Sequence, residues 1–346
     1  MSFFRENIDE MIGYVPGEQP APGARVIKLN TNENPYPPSP KAVEALRGLD
    51  QELLRRYPDP MSTLVRQAAA QVLDVPLDWV LVGNGSDDLL AMIFKACCQP
   101  GRPAVYPMPT YVYYRTLANI QDAPFIEVHF DDDYTLPVDE LAGADGAVTF
   151  IANPNSPSGT LAPLEVLDEL AGRLSGLLVI DEAYVDFVEE SALPLVSRRP
   201  NVVILRTLSK GYSLAGLRVG FAVCQPGLIP NLVKVKDHYN LGAPACLAGA
   251  AALLDQPHML ANAARVKASR ERLSNDLRGL GWRVWPSRAN FILARPPAGD
   301  AERIYHGLKA RGILVRYFNE PRLDDKLRIT IGTDEQHAAL LAGIQA

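Results

Sequence analysis

Seven short, nearly continuous apolar runs punctuate the first two-thirds of the chain: WVLVG (79–83), PAVY (103–106), PFIEVH (124–129), GAVTFI (146–151), LLVID (177–181), VVILR (202–206) and RVGFAV (218–223). Amphipathic segments separate several of them; Leu161, Leu164, Leu167, Leu170 and Leu174 recur at helical spacing. Strands that are apolar on both faces have to be covered on both. The pattern therefore predicts an α/β fold with a mostly parallel seven-stranded sheet between layers of helices.

Around this unit the character of the chain changes twice. Residues 1–30 are rich in Pro and Gly (VPGEQPAPGARV) and read as an extended arm. Residues 31–245 hold the strand–helix alternation. Residues 246–346 read as a smaller α+β domain, with a long helical stretch at roughly 246–280, strands near 282–285, 289–294, 313–316 and 327–332, and a terminal helix.

Composition narrows the function. With 47% hydrophobic and 21% charged residues the chain can bury a large core, and a net charge of −6 with no basic arm argues against binding nucleic acid. No apolar run approaches the ~18–20 residues that span a bilayer, and the first residues lack a secretory pattern. Cys97, Cys98, Cys224 and Cys246 make no metal spacing, and the five histidines are scattered. A cytoplasmic enzyme without a protein-built metal centre and without membrane attachment is expected.

In an open α/β sheet, ligands bind beyond the carboxyl ends of the strands, so the residues just past each run are informative. Gly83-Asn-Gly-Ser86-Asp87-Asp88 precedes an apolar helix and offers an anion a close backbone approach at a helix N-terminus; a plain glycine turn with a cap is the simpler alternative. Tyr111 comes after the second run and can stack on a flat ring or merely fill the rim. Asn153-Pro-Asn155-Ser-Pro-Ser-Gly159 either presents the Asn155 amide to a ring oxygen or builds a rigid turn. Asp181 ends an apolar run, where an unpaired carboxylate is costly and a cationic partner would keep it ionised. The stretch R-T-L-S-K-G-Y-S-L-A-G-L-R-V-G-F then sets Thr207, Ser209 and Lys210 near Arg218. Hydroxyls and an arginine make a phosphate site, and a lysine beside it is either a phosphate ligand or a Schiff-base amine. An anion cradle, a stacking Tyr, an Asn, an Asp and a Lys on successive strand ends together describe a pyridoxal 5′-phosphate site.

N-P-N-S-P-S-G, V-I-D-E-A-Y and the lysine segment, in this order, resemble the fold-type I pyridoxal-phosphate-dependent aminotransferases, and the resemblance runs from T-N-E-N-P to the C-terminal L-R-I-T-I-G-T. It implies that Lys210 carries the cofactor and that Asp181 pairs with the pyridine nitrogen. Asn155 and Tyr184 would bond the ring oxygen, and Tyr111 would stack on the ring. The phosphate would lie against the backbone around Ser86 and Asp87, with Thr207 or Ser209 and Arg218. Tyr57, in R-R-Y-P-D-P, matches a tyrosine that reaches a neighbouring subunit's phosphate, which implies a homodimer with shared active sites. On the substrate side it implies Asn34, Arg328 as the clamp on an amino-acid carboxylate, Arg316 as a ligand of substrate phosphate, and Tyr14 as a tyrosine closing over that phosphate. The activity implied is transfer of an amino group from histidinol phosphate to 2-oxoglutarate, with glutamate as the product amino acid, a step of histidine biosynthesis. An aromatic amino acid donor is the alternative, because Gly211-Tyr212 after the lysine occurs in aminotransferases of phenylalanine and tyrosine. A lyase or decarboxylase on the same fold is a third reading. Two departures stand out: the common N-N-P-T-G is here Asn155-Ser-Pro-Ser-Gly159, and G-S-D-E is Gly85-Ser-Asp-Asp88.

Overall fold

The computed structural model describes residues 2–13, 17–21, 23 and 25–346. Its strands are β1 (Ile27–Lys28), β2 (Val80–Asn84), β3 (Ala104–Met108), β4 (Phe125–His129), β5 (Val148–Ala152), β6 (Leu177–Asp181), β7 (Val202–Thr207), β8 (Val219–Cys224), β9 (Arg283–Val284), β10 (Phe291–Arg295), β11 (Ile313–Leu314), β12 (Arg316–Tyr317) and β13 (Leu327–Thr330). The seven apolar runs become β2 to β8, one sheet in the order β2-β8-β7-β6-β5-β3-β4.

Alternate residues of the same strand feed two separate cores. Leu178, Ile180 and Ile204 pack on one face, and Val179, Val203 and Leu205 on the other. Full burial of each contributes roughly 1.5–3 kcal/mol, which is why these runs are apolar without alternation. One face is covered by the helices Pro40–Arg47, Thr63–Leu73, Leu164–Arg173 and Ala243–Leu253. Ser86–Cys97, Tyr113–Gln121 and Ile229–Val235 cover the other. Sequence chemistry sets their ends: Ser39 Oγ accepts the Lys41 N–H at 3.1 Å and Pro40 opens the helix, where a missing donor is harmless.

Only β8 runs against its neighbours, antiparallel to both β2 and β7. Its connection from β7, residues 208–218, is too short for the helical crossover that a parallel partner needs. The reversal matters for the site, because β8 starts at the edge where the other strands finish, and Arg218 arrives beside Thr207.

The second body is an antiparallel sheet, β12-β13-β10-β9, with the helices Gln256–Gly279, Ala301–Ala310 and Asp334–Gln345. The change between cores falls near Asp255 rather than at 245, since Cys246, Ala248, Ala252 and Leu253 sit in the core of the large sheet. The end of the arm is also built in: β1 pairs in parallel with β11, and Leu29 is buried in the smaller core. Further back, Arg5 and Asn7 donate to the carbonyls of Ile120 and Asn119 on the large body. No helix among the described residues is long and apolar enough to cross a membrane, and no cluster of His, Cys, Asp or Glu there could hold a metal.

Candidate active site

A cavity of about 670 Å³ opens where the parallel strands end, between the two bodies. Its floor is Asp181, the last residue of β6, only 4% exposed. One carboxylate oxygen accepts the Ala183 N–H at 3.1 Å and the other the Tyr114 hydroxyl at 3.2 Å. Burial pushes the Asp181 carboxyl up to about 6, with the charge of Asp87 adding to it and the Tyr114 hydrogen bond opposing. A buried carboxylate in that state gains most from a cation placed against it.

At one end of the floor three anion-seeking features meet. Gly85 has φ +78°, and a Cβ there would lie 2.6 Å from Arg218 Nη2, so only glycine lets this turn close over the arginine. The helix Ser86–Cys97 begins at the next residue, with its free N–H groups at the cavity. Thr207 donates to Ser209 Oγ at 2.9 Å, and Arg218 Nη1 reaches the same oxygen at 3.4 Å. Asp87 sits among them, accepting from Arg218 Nη2 at 2.9 Å and from the Tyr111 hydroxyl at 3.0 Å.

Lys210 projects over the Tyr184 ring, its Nζ 5.7 Å from the centroid. Its backbone is gripped from both sides. Asn34 Nδ2 donates to the carbonyls of Lys210 and Gly211 at 3.1 and 3.2 Å, and the Gly211 N–H donates to Asp186 Oδ2 at 3.1 Å. A Cβ on residue 211 would overlap the Asp186 carboxylate. Asp186 is itself buried, which pushes its carboxyl up to about 6 against the opposing charge of Arg206. Tyr212 points away from the cavity, accepts from Gln256 Nε2 at 2.8 Å and packs between the two cores. Gly211-Tyr212 thus packs behind the lysine, away from the cavity.

Across the cavity, β12 and β13 place Arg316 directly opposite Arg328 in register, and both line the space. Arg328 donates to Ser156 Oγ at 3.2 Å and to the Asn30 carbonyl at 3.0 Å.

The fold thus brings Ser86, Asp87, Tyr111, Asp181, Tyr184, Thr207, Ser209, Lys210, Arg218, Arg316 and Arg328 around one cavity. Three expected residues stand elsewhere. Asn155 does not face the cavity: its amide accepts from Thr110 Oγ1 and donates to Ser158 Oγ and the Pro109 carbonyl, inside a turn closed by Gly159 N–H on its own carbonyl. Ser156, the next residue, lines the cavity in its place. Asn34 holds the lysine backbone rather than the cavity wall. Tyr57 is 81% exposed and stacks on Tyr239 with ring centroids 4.5 Å apart. Tyr14 lies outside the described residues.

Sequence reasoning missed Tyr114, Ser156, Asn32 and Arg115. Asn32 donates to the Tyr184 hydroxyl at 2.9 Å, and Arg115 reaches the cavity from a helix, held by Glu127 at 2.7 and 3.0 Å. Ser156 alone had a signal, since it occupies the position of the second Asn in N-N-P-T-G.

Residues 24–344 match the model of the aminotransferase class I and II family, and the chain belongs to that family. The architecture is that of the fold-type I aminotransferases, and the expected transaminase class holds. Among its relatives, histidinol-phosphate aminotransferase 1 of Trichormus variabilis is 57% identical over 99% of this chain and 98% of its own. The histidinol-phosphate aminotransferase of Geobacter sp. strain M21 is 47% identical over 97% of this chain and 96% of its own. The crystal structure of histidinol-phosphate aminotransferase from Sinorhizobium meliloti in complex with pyridoxal-5′-phosphate superposes with a TM-score of 0.90 at 26% identity, covering 100% of this chain and 98% of that one.

Proposed function

We propose that this chain is a pyridoxal-phosphate-dependent aminotransferase that takes the amino group of histidinol phosphate and passes it to 2-oxoglutarate, a step of histidine biosynthesis in the cytoplasm. The observation that carries the substrate reading is the pair of arginines in register on β12 and β13. Histidinol phosphate has a phosphate and no carboxylate, whereas glutamate and 2-oxoglutarate have carboxylates only. Two adjacent guanidiniums on one sheet suit both, because a planar fork binds carboxylate and phosphate oxygens alike.

The residues at the floor fit the cofactor. The buried Asp181 carboxylate calls for a cation, which a protonated pyridine nitrogen is. The glycine turn, helix N-terminus, hydroxyls and Arg218 suit a phosphate. When bound, the cofactor supplies an aldehyde that takes up an amine and a ring that accepts the electrons left when Cα loses its proton. The chain's own residues do the rest. Lys210 Nζ would hold the aldehyde carbon and, once freed, would take the proton from Cα and deliver it to the carbon that had carried the aldehyde. Asp181 keeps a proton on the pyridine nitrogen, Tyr111 covers a ring face, and Tyr184 directs its hydroxyl at the ring oxygen. Arg328 orients the amino-acid carboxylate and Arg316 the substrate phosphate, with Tyr14 closing over it.

A homodimer is part of the proposal. Leu53, Leu54, Tyr57 and Leu64 leave apolar surface exposed in one stretch of chain, and the exposed Tyr57, stacked on Tyr239, would reach a partner's phosphate site. The test of the substrate reading is kcat/KM for histidinol phosphate against phenylalanine, each with 2-oxoglutarate. A clear preference for histidinol phosphate is expected; a preference for phenylalanine would overturn it.

A further inference from the structure

Asn32 lies at the crossing of the two bodies, 2% exposed and with φ +56°. Both of its backbone groups and both of its amide atoms are engaged. Its N–H donates to Thr330 Oγ1 at 2.9 Å, and its carbonyl accepts from Asn290 Nδ2 at 2.9 Å. Thr330 Oγ1, which accepts from that N–H, donates its own hydrogen to Asn32 Oδ1 at 3.1 Å. The amide orientation is thereby set, and Nδ2 is left to donate to the Tyr184 hydroxyl at 2.9 Å.

The direction of that last bond has a chemical consequence. A phenol oxygen that accepts from Asn32 keeps its own proton for something else. Among the described residues nothing accepts that proton, and Tyr184 lines the cavity with its ring edge-on to Phe291 at 5.0 Å. The O–H vector therefore has one polar destination, the space where the cofactor's ring oxygen would lie. With Asn155 turned away and Ser156 in place of a second asparagine, this chain leans on Tyr184 for that contact.

We propose that Asn32 is a positioning residue that fixes Tyr184 as the hydrogen-bond donor to the cofactor's ring oxygen. The inference rests on the cofactor assignment above, but not on the identity of the substrate. A donor at the ring oxygen draws charge from it and loosens its hold on the proton shared with Lys210 Nζ. Without the donor, that proton is held to higher pH.

The experiment is a visible absorbance titration of the cofactor-loaded protein, with no substrate present. Asn32→Asp keeps the acceptor for Thr330 and tolerates the left-handed backbone, but as a carboxylate it accepts from Tyr184 instead of donating to it. Asn32→Gly suits the backbone and removes both amide contacts. Both variants, like Tyr184→Phe, should raise the titration midpoint by about one pH unit, the scale of one hydrogen bond to a charged group. In the Tyr184→Phe background Asn32→Gly should not move it further. Unchanged midpoints in both Asn32 variants, an additive shift of Asn32→Gly on Tyr184→Phe, or no shift in Tyr184→Phe would each overturn the proposal. Failure of histidinol phosphate as a substrate would overturn the substrate reading and leave this titration intact.

Discussion

The floor and the far wall of the cavity are built on different plans. At the floor, Asp181 ends β6, Thr207 ends β7 and Arg218 precedes β8, so neighbouring backbones paired in one sheet hold these side chains in register. The far wall comes from the second body, where Arg316 and Arg328 ride on two short strands, and the arm residues Glu10 to Gly13 complete the rim. A floor of that kind suits one invariant group, bound the same way in every turnover. A wall carried on a separate body suits a site that meets two anionic partners of different shape in alternate half-reactions.

Substitutions at the two ends should therefore fail differently. The largest effect belongs to the floor: Lys210→Ala should abolish turnover with every donor and shift the absorbance of bound cofactor, and an active variant would break the assignment. At the wall the loss should be partial and selective. Arg316→Ala should lower kcat/KM for histidinol phosphate roughly ten- to a hundredfold, the scale of one or two charge-assisted hydrogen bonds, while sparing 2-oxoglutarate. Arg328→Ala should impair 2-oxoglutarate by a similar factor. Equal losses for both substrates in both variants would mean that the two arginines do not divide the work.

Behind the floor the expected effect is on stability. Gly211→Ala forces a methyl group into the Asp186 carboxylate and should cost about 1–3 kcal/mol in denaturant unfolding, as overpacking does. Smallest is a pH effect. Because burial raises the folded-state pKa of Asp181 to about 6, its protonated form favours folding. That contribution is fully present below the ordinary carboxylate range and is lost as pH rises through about 6. The cofactor-free protein should lose thermal stability across that window, and Asp181→Asn should flatten the slope; an unchanged slope would remove Asp181 as its source.

The same contrast explains what could be read from the sequence. All seven strands of the large sheet were legible because an apolar run covered on both faces has one physical meaning, and residues just past a strand end inherit its position. Asn155 and Ser156 show where that stops. Both lie in one turn of polar residues, and only the hydrogen bonds closing it, from Gly159 N–H to the Asn155 carbonyl and from Asn155 N–H to the Thr160 carbonyl, decide which side chain turns inward. Asn32 and Asn34 were harder still, since their partners, Thr330 and Lys210, are far away in the chain. Gly211 shows the limit from the other side: the motif carried a family resemblance, but its close neighbour Asp186 was not visible from the chain order.

The central claim, amino transfer from histidinol phosphate, is tested most directly in a half-reaction. Cofactor-loaded protein mixed with histidinol phosphate alone should release a single equivalent of imidazole-acetol phosphate per site, lose its visible absorbance and stop until 2-oxoglutarate is added. Continuous turnover without an acceptor, or no reaction with histidinol phosphate while phenylalanine is consumed, would contradict it.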